Sequence, residues 1–306
     1  MVLVTGGLGF IGNELVRQLK SSGKEVAILD NKNRVAPHIN DIQDVPLVET
    51  DLTDQERVSE LFREIRPEVV FHMAAIHYIP ECNENPERTL RVNVEGTECI
   101  LRASSVSGVQ KILFASSGAV YADSASSLSE SSSIGPVDIY GWSKLFGEQL
   151  CHLNHGINQT ATVICRLFNN YGPRETNPHI IPEILKQLQL GNKLMLGNIS
   201  TIRDYIHTED CAKALIKLAE GRNAGVTTVN VASGNGYTVK EIITIIQEII
   251  GRPIEIQLDG KRLRRFDKQA QVANIELLQE LTGWQPEKSI HQGIVDLLRF
   301  EKLILN

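Results

Sequence analysis

The chain has 306 residues, an ordinary mixture of apolar and charged side chains and a formal net charge of −6. That length admits one large α/β domain plus a smaller lobe, and the acidic balance argues against sequence-independent nucleic-acid binding. No apolar run reaches the roughly 18 residues that would predict a membrane span. The five cysteines show neither a C-x-x-C pair nor clustering with histidines, which predicts no metal centre and reduced thiols.

A first strand is expected at 2–5, so near residue 1 that no leader peptide is expected before it and the cytoplasm is the expected compartment. It runs into Gly6-Gly7-Leu8-Gly9-Phe10-Ile11-Gly12, and the amphipathic stretch 14–19 reads as helix. Strand, glycine turn and helix in that order form the setting of a Rossmann dinucleotide site. Gly7, Gly9 and Gly12 fit the G-x-G-x-x-G spacing, while Gly6, Gly9 and Gly12 fit the alternative G-x-x-G-x-x-G. Glycine lets the backbone turn tightly and approach a pyrophosphate at a helix N-terminus. The second strand, 25–29, ends in Asp30. A carboxylate there accepts hydrogen bonds from the ribose hydroxyls and repels a 2′-phosphate, which favours NAD; Arg34, close by in sequence, keeps NADP open.

Strands at 45–48, 69–73, 111–115 and 161–167 then alternate with helices near 54–65, 86–107 and 138–155, the pattern of a Rossmann-type, doubly wound parallel sheet. Asp51 and Leu52 follow the third strand, placed to meet the adenine. Ala74, in the small-residue run after the fourth, lets the backbone approach the cofactor. Both positions are at carboxyl ends of strands, where ligands of open α/β sheets gather. The serine-rich stretch 124–133 reads as a surface loop beside the site. Past Pro173 the pattern is less regular, with helices expected at 178–190, 240–250 and 290–305 and a loop–strand–loop over 222–236. The expected division is 1–173 for the NAD-binding Rossmann domain and 174–306 for a smaller α/β substrate-binding lobe. Elements around 205–232 are expected to return to the first domain.

Tyr140-Gly-Trp-Ser-Lys144 puts a phenol and an ammonium on one face of a helix, one turn apart. A fixed positive charge beside the phenol favours its ionised form. Bringing a phenol from a pKa of roughly 10 to near 7 takes about 4 kcal/mol, which Lys144 and a nicotinamide cation together are placed to supply. The expected product is a general base that works at neutral pH.

The segments Thr5 to Gly12, Ala115-Ser-Ser-Gly-Ala-Val-Tyr121 and Tyr140-x-x-x-Lys144 together resemble the extended short-chain dehydrogenase/reductase family. More narrowly, the chain is similar to the nucleotide-sugar epimerases and dehydratases, because segments 93–97, 166–174, 203–207 and 281–286 fit that subgroup in order over practically the whole length. The resemblance implies that Tyr140 is the catalytic base and acid. Lys144 would be its electrostatic partner and bond the nicotinamide ribose, and the Ser117 hydroxyl would hold the reacting sugar oxygen. It implies that Gly6, Gly9, Phe10, Ile11, Gly12, Asp30, Asn31, Asp51, Leu52 and Ala74 hold NAD. Asn93 matches a position near the cofactor, or else steadies its helix. Asn169 and Arg203 match positions that meet the substrate's diphosphate, with Arg264, or alternatively Arg265, as a further contact; a guanidinium suits this role because it binds phosphate oxygens in pairs. His77 faces the implied sugar pocket as a contact or as a support. The helices at 86–107 and 138–155 match those that pair in family dimers, so a homodimer is expected.

The strand-end motif narrows the reaction. The resemblance places an Asp-Glu pair after the Ser/Thr of 4,6-dehydratases, and a Glu at the second of these positions in UDP-glucuronate decarboxylases. Here the two positions are Gly118 and Ala119, so elimination lacks its acid and base. Oxidation and re-reduction at one carbon needs only Ser117, Tyr140 and Lys144. The expectation is therefore an NAD-dependent 4-epimerase of a nucleotide-diphosphate sugar, working through a 4-keto intermediate. Two features depart from that pattern: Ala119 stands where many 4-epimerases carry Thr, and Arg264-Arg265-Phe266-Asp267 stands where relatives often have Arg-x-Gly-Asp. An NAD(P)H-dependent reductase of a 4-keto-6-deoxy sugar nucleotide shares the same three residues. A non-catalytic dinucleotide sensor would have no need of them.

Overall fold

The structure is a computed structural model that describes residues 1–221, 224–262 and 267–305; Arg264 and Arg265 lie outside the described residues. The first half alternates as β1 (Val2–Thr5), α1 (Phe10–Ser21), β2 (Val26–Asp30), β3 (Leu47–Glu49), α2 (Gln55–Ile65), β4 (Val69–His72), α3 (Ile79–Glu84), α4 (Pro86–Leu90), α5 (Gly96–Val106), β5 (Lys111–Ser117), α6 (Ile139–Asn158) and β6 (Ala161–Leu167). There follow β7 (Asn169–Tyr171), α7 (Ile180–Leu190), β8 (Lys193–Leu196), β9 (Ile202–His207), α8 (Thr208–Glu220), β10 (Val226–Val231), β11 (Gly236–Thr238), α9 (Val239–Ile250), β12 (Glu255–Leu258), β13 (Ala270–Gln271), α10 (Glu276–Thr282) and α11 (Ile290–Phe300).

Seven strands form one parallel sheet in the order β10-β6-β5-β4-β1-β2-β3. Side chains alternate between its faces, as strand geometry requires. Val4, Ile28, Phe71 and Leu113 pack on one side with α1 and α8, while Leu3, Leu29, Val70 and Ile112 pack on the other with α2 and α5. The chain order reverses between β1 and β4, which opens a crevice beyond their carboxyl ends. Strand β10 extends this sheet beside β6, and α8 packs against α1. Strands β7, β11 and β13 build a smaller layer around β9; β8 and β12 pair as a separate two-stranded sheet, and α7, α9 and α11 share a separate core.

Two sequence expectations are refined. The helix expected at 86–107 is divided: Arg91–Glu95 widens into a π turn between α4 and α5, where the Gly96 N–H bonds Arg91 O, five residues back. The helix expected at 290–305 ends at Phe300.

Helix α6 is also pinned from below. Its Glu148 accepts from Arg166 Nε at 2.9 Å and Nη2 at 2.8 Å, and from the Ser116 hydroxyl, with both charged side chains buried. Removing one member of such a pair leaves the other charge stranded. Glu148→Gln is therefore expected to cost about 3–5 kcal/mol, read as a lower denaturant midpoint; an unshifted midpoint would refute it.

Candidate active site

One cavity of about 610 Å³ runs along the carboxyl ends of the parallel strands and continues under the smaller layer. Gly6, Gly9, Phe10, Ile11 and Gly12 form its floor beyond β1. Gly6 sits at φ +69°, and a Cβ there would come within 2.8 Å of the Ala74 backbone. A Cβ on Gly12 would lie 2.1 Å from Gly6 O. The turn is thus closed to side chains, the shape a pyrophosphate cradle requires.

Asp30, buried at the end of β2, accepts from the backbone N–H of Leu8 at 3.0 Å and of Lys32 at 2.8 Å, which fixes its carboxylate on the cavity wall. Burial raises its pKa, and the backbone donors work against that rise. Arg34 lines the same cavity but is tied elsewhere: its guanidinium bonds Glu81 and the Asn177 side-chain oxygen. Beyond β3, Asp51 and Leu52 also reach the wall. Burial of Asp51 would raise its pKa, but Thr53 and Asn31 donors outweigh it and the net shift is downward. Leu52 is backed by Gly96, where a Cβ would approach within 2.8 Å.

A directed hydrogen-bond chain holds Ala74 in place. Thr97 Oγ1 donates to Asn93 O, so it accepts from His72 Nε2–H at 3.0 Å. His72 Nδ1 is then left to accept from Thr5 Oγ1 at 2.8 Å, and Thr5 in turn accepts from the Ala74 N–H at 3.2 Å. Burial drives the His72 pKa down to about 3, which keeps the ring neutral as this order of protons demands. Asn93, for which the resemblance left two roles, is not among the residues that line the cavity. Its side-chain oxygen accepts from Ile76 N–H, and its amide donates to Ile76 O and Ser143 Oγ. Ser143 passes the contact on to Tyr140 O. Asn93 therefore braces the walls rather than touching the cavity.

Ser117 closes β5 and Tyr140 opens α6, whose first turn is capped by Asp138 accepting from Gly141 N–H at 2.8 Å. Both face the cavity, as does Lys144. Lys144 donates to Ala115 O at 2.7 Å, and its Nζ lies 5.9 Å from the Tyr140 ring centroid. Burial lowers the Lys144 pKa to about 8. Burial also pushes the Tyr140 phenol above its ordinary range, opposed by its hydrogen bond with Ser117. The sequence reading credits Lys144 and a nicotinamide cation together with lowering the phenol; burial is a large effect in the opposite direction that the spacing does not show.

Across the cavity stand Asn169 and Arg203. Arg203 is buried beside Asp267, with Nη2 to Oδ1 at 2.6 Å. His77 bonds Asn177 through Nε2 at 2.9 Å, and burial lowers its pKa to about 3. The bracket of Arg34, Glu81, Asn177 and His77 had no sequence signal, because its members are scattered from residue 34 to residue 177. Among the described residues no cluster of His, Cys, Asp and Glu could hold a metal ion.

A Rossmann-type α/β sheet with a closed glycine turn and a Ser–Tyr–Lys group at one cavity defines a dinucleotide-binding protein of the short-chain dehydrogenase/reductase kind. The chain belongs to the NAD dependent epimerase/dehydratase family, whose model matches residues 2–232. It is 30% identical over 308 residues to the GDP-6-deoxy-D-mannose reductase of Pseudomonas aeruginosa, covering 97% of this chain and 95% of the relative. It is also 30% identical over 307 residues to the UDP-glucose 4-epimerase of Halalkalibacterium halodurans, covering 94% and 90%. The solved UDP-glucose 4-epimerase of Thermus thermophilus in complex with NAD superposes with a TM-score of 0.88 at 31% identity, covering 98% of each chain.

Proposed function

We propose that this protein is an NAD-dependent nucleotide-sugar 4-epimerase. The observation that carries the reading is the cavity wall at 117–119: a serine hydroxyl beside Tyr140, followed by Gly118 and Ala119, which bring no acid or base for elimination. Bound NAD would supply the hydride acceptor and return the hydride at C4. Its pyrophosphate would lie over Gly6, Gly9 and Gly12, and its adenosine near Asp30, Asn31, Asp51 and Leu52. Tyr140 takes the proton of the C4 hydroxyl and gives it back once the keto-sugar has turned over. Ser117 holds the reacting oxygen, while Lys144 keeps a positive charge near the phenolate. Asn169 and Arg203 are assigned to the diphosphate and His77 to the sugar end. In this reading 1–173 holds the cofactor and 174–306 the sugar nucleotide, with α8 and β10 packed on the cofactor side.

Two features support NAD over NADP: Asp30 is fixed on the wall, and the charge of Arg34 is engaged by Glu81. The second reading, a reductase of a 4-keto-6-deoxy sugar nucleotide, is favoured by the similarity to the Pseudomonas aeruginosa enzyme. Purified protein denatured without added cofactor separates the two. Stoichiometric NAD, followed by interconversion of UDP-glucose and UDP-galactose, is expected; empty protein that prefers NADPH would support the reductase. A dinucleotide sensor would bind NAD and turn over neither substrate.

We also propose a cytoplasmic homodimer. Five buried free thiols suit a reducing compartment, and no described helix is long and apolar enough to cross a membrane. Trp142, Phe146, Leu153 and Ile157 form an exposed apolar stripe on α6, with Val106 of α5 beside it. A second copy of the same two helices would cover this stripe. Phe146→Glu is expected to give monomers by light scattering; an unchanged mass would point to another interface.

A further inference from the structure

Strand β5 delivers Ser117 directly into a 3-10 turn, Gly118–Val120. The position of that hydroxyl depends on the turn, because Ser117 Oγ accepts from the Ala119 N–H at 3.1 Å. Two carbonyls of this turn and that of Tyr121, which follows it, are all held by one short segment of the smaller lobe. Lys268 Nζ donates to Ala119 O at 3.0 Å and also to Tyr121 O, and Gln271 Nε2 donates to Gly118 O at 2.9 Å. The contact continues beyond the turn. The Gln269 N–H bonds Asp123, and Leu128 exchanges backbone bonds with Val272 and Asn274.

Lys268 is costly to place there. Only 8% of it is exposed, it forms no ion pair among the described residues, and burial lowers its pKa against the more distant fields of Asp138 and Asp123. A buried ammonium costs several kcal/mol to desolvate, so it persists where its donors meet acceptors that would otherwise be stranded. The same segment reaches the opposite wall of the cavity: Asp267 binds Arg203, and β13 pairs with β9 at Ile202 and Arg203.

We infer that Lys268 is a positioning residue for the reaction, acting through Ala119 to fix the Ser117 hydroxyl opposite Tyr140. The inference deepens the epimerase reading and rests on it for its kinetic consequence. The ammonium sets Ala119, the Ala119 N–H sets Ser117 Oγ, and Ser117 holds the sugar oxygen. Gln271 secures the first residue of the same turn.

The test compares Lys268→Met and Lys268→Arg in the full chain, each with Ser117 intact and with Ser117→Ala. Lys268→Met is expected to lower kcat on UDP-glucose about 10–100-fold with KM within about threefold and bound NAD retained. Lys268→Arg, which keeps a cation and its donors, should recover most of that loss. Once Ser117 is Ala, Lys268→Met should cost less than about threefold, since residues acting through one another are non-additive. An equal loss in the Ser117→Ala background, or a loss confined to KM, overturns the inference. Amide exchange over 117–121, followed by mass spectrometry, needs no substrate. Faster exchange at Ala119 and Tyr121 in Lys268→Met, reversed in Lys268→Arg, supports the clamp, and unchanged exchange overturns it whatever the turnover. If the wild type converts no nucleotide sugar, the epimerase reading fails alone and the exchange result decides this one. Should Lys268→Met not fold, Lys268→Gln carries the same exchange readout with the same two outcomes.

Discussion

Replacing Tyr140 by Phe is expected to cut epimerase turnover by roughly 10²–10⁴-fold, the usual contribution of a positioned acid–base group, while NAD remains bound. The substitution removes one oxygen and keeps the ring that lies beside Lys144 Nζ, so the fold around α6 has no reason to change. It deletes the group that takes and returns the C4 proton, which neither Ser117 nor the ammonium of Lys144 can replace. Ser117 is far too weak a base, and Lys144, its pKa lowered by burial only to about 8, is mostly an ammonium at neutral pH and donates to Ala115 O. The check is single-turnover and steady-state kinetics beside the NAD content of the purified variant. Turnover within a few-fold of wild type would end the proposed mechanism, and loss of NAD would move Tyr140 from chemistry to cofactor retention.

The second large effect is expected from Gly12→Ala. The added Cβ falls 2.1 Å from Gly6 O and 2.8 Å from Gly6 C, both backbone atoms with no rotamer to yield. Gly6 cannot retreat easily, since its own Cα faces the Ala74 backbone that the Thr5–His72–Thr97 chain holds in place. Either α1 moves away from β1 or the turn opens, and both disrupt the row of backbone donors meant for the pyrophosphate. Less than about a tenth of the wild-type NAD should survive gel filtration, with a loss of stability of about 1–3 kcal/mol or more from overpacking. A variant that keeps stoichiometric NAD would show that the cofactor does not lie against this turn.

The parallel sheet and the family were legible in the sequence because their signals are local. A strand, a glycine turn and a helix occupy the first 21 residues, and Tyr140 and Lys144 share one turn of one helix. The β13–β9 pairing was not legible, because β13 is only two residues long and draws its register from the lobe around it. The π turn at Arg91–Glu95 was missed for another reason. Its sequence is a good helical one, and the widening goes with tertiary contacts of Asn93, which bonds Ile76 on one side and Ser143 on the other. Helix α8 did carry a signal that went unread as a helix: acidic residues Glu209 and Asp210 in its first turn and Gly221 at its end. The Tyr140 pKa shows the limit of spacing arguments. An i, i+4 pair fixes which side chains are neighbours, but it says nothing of burial, which pushes this phenol upward.

The bonds of Arg34 bear on how this chain could change over generations. In the proposed reading, cofactor choice rests on two positions that mask each other: Asp30 disfavours a 2′-phosphate, and Glu81 with Asn177 keeps the Arg34 guanidinium occupied. A lineage that lost the Asp30 carboxylate alone would surrender its ribose contact without gaining a cation for the phosphate. One that lost Glu81 alone would leave Arg34 bonded to Asn177, with the Asp30 carboxylate still on the wall. Each single step is a loss and only the pair is a gain, so the preference for NAD is held by epistasis as much as by affinity.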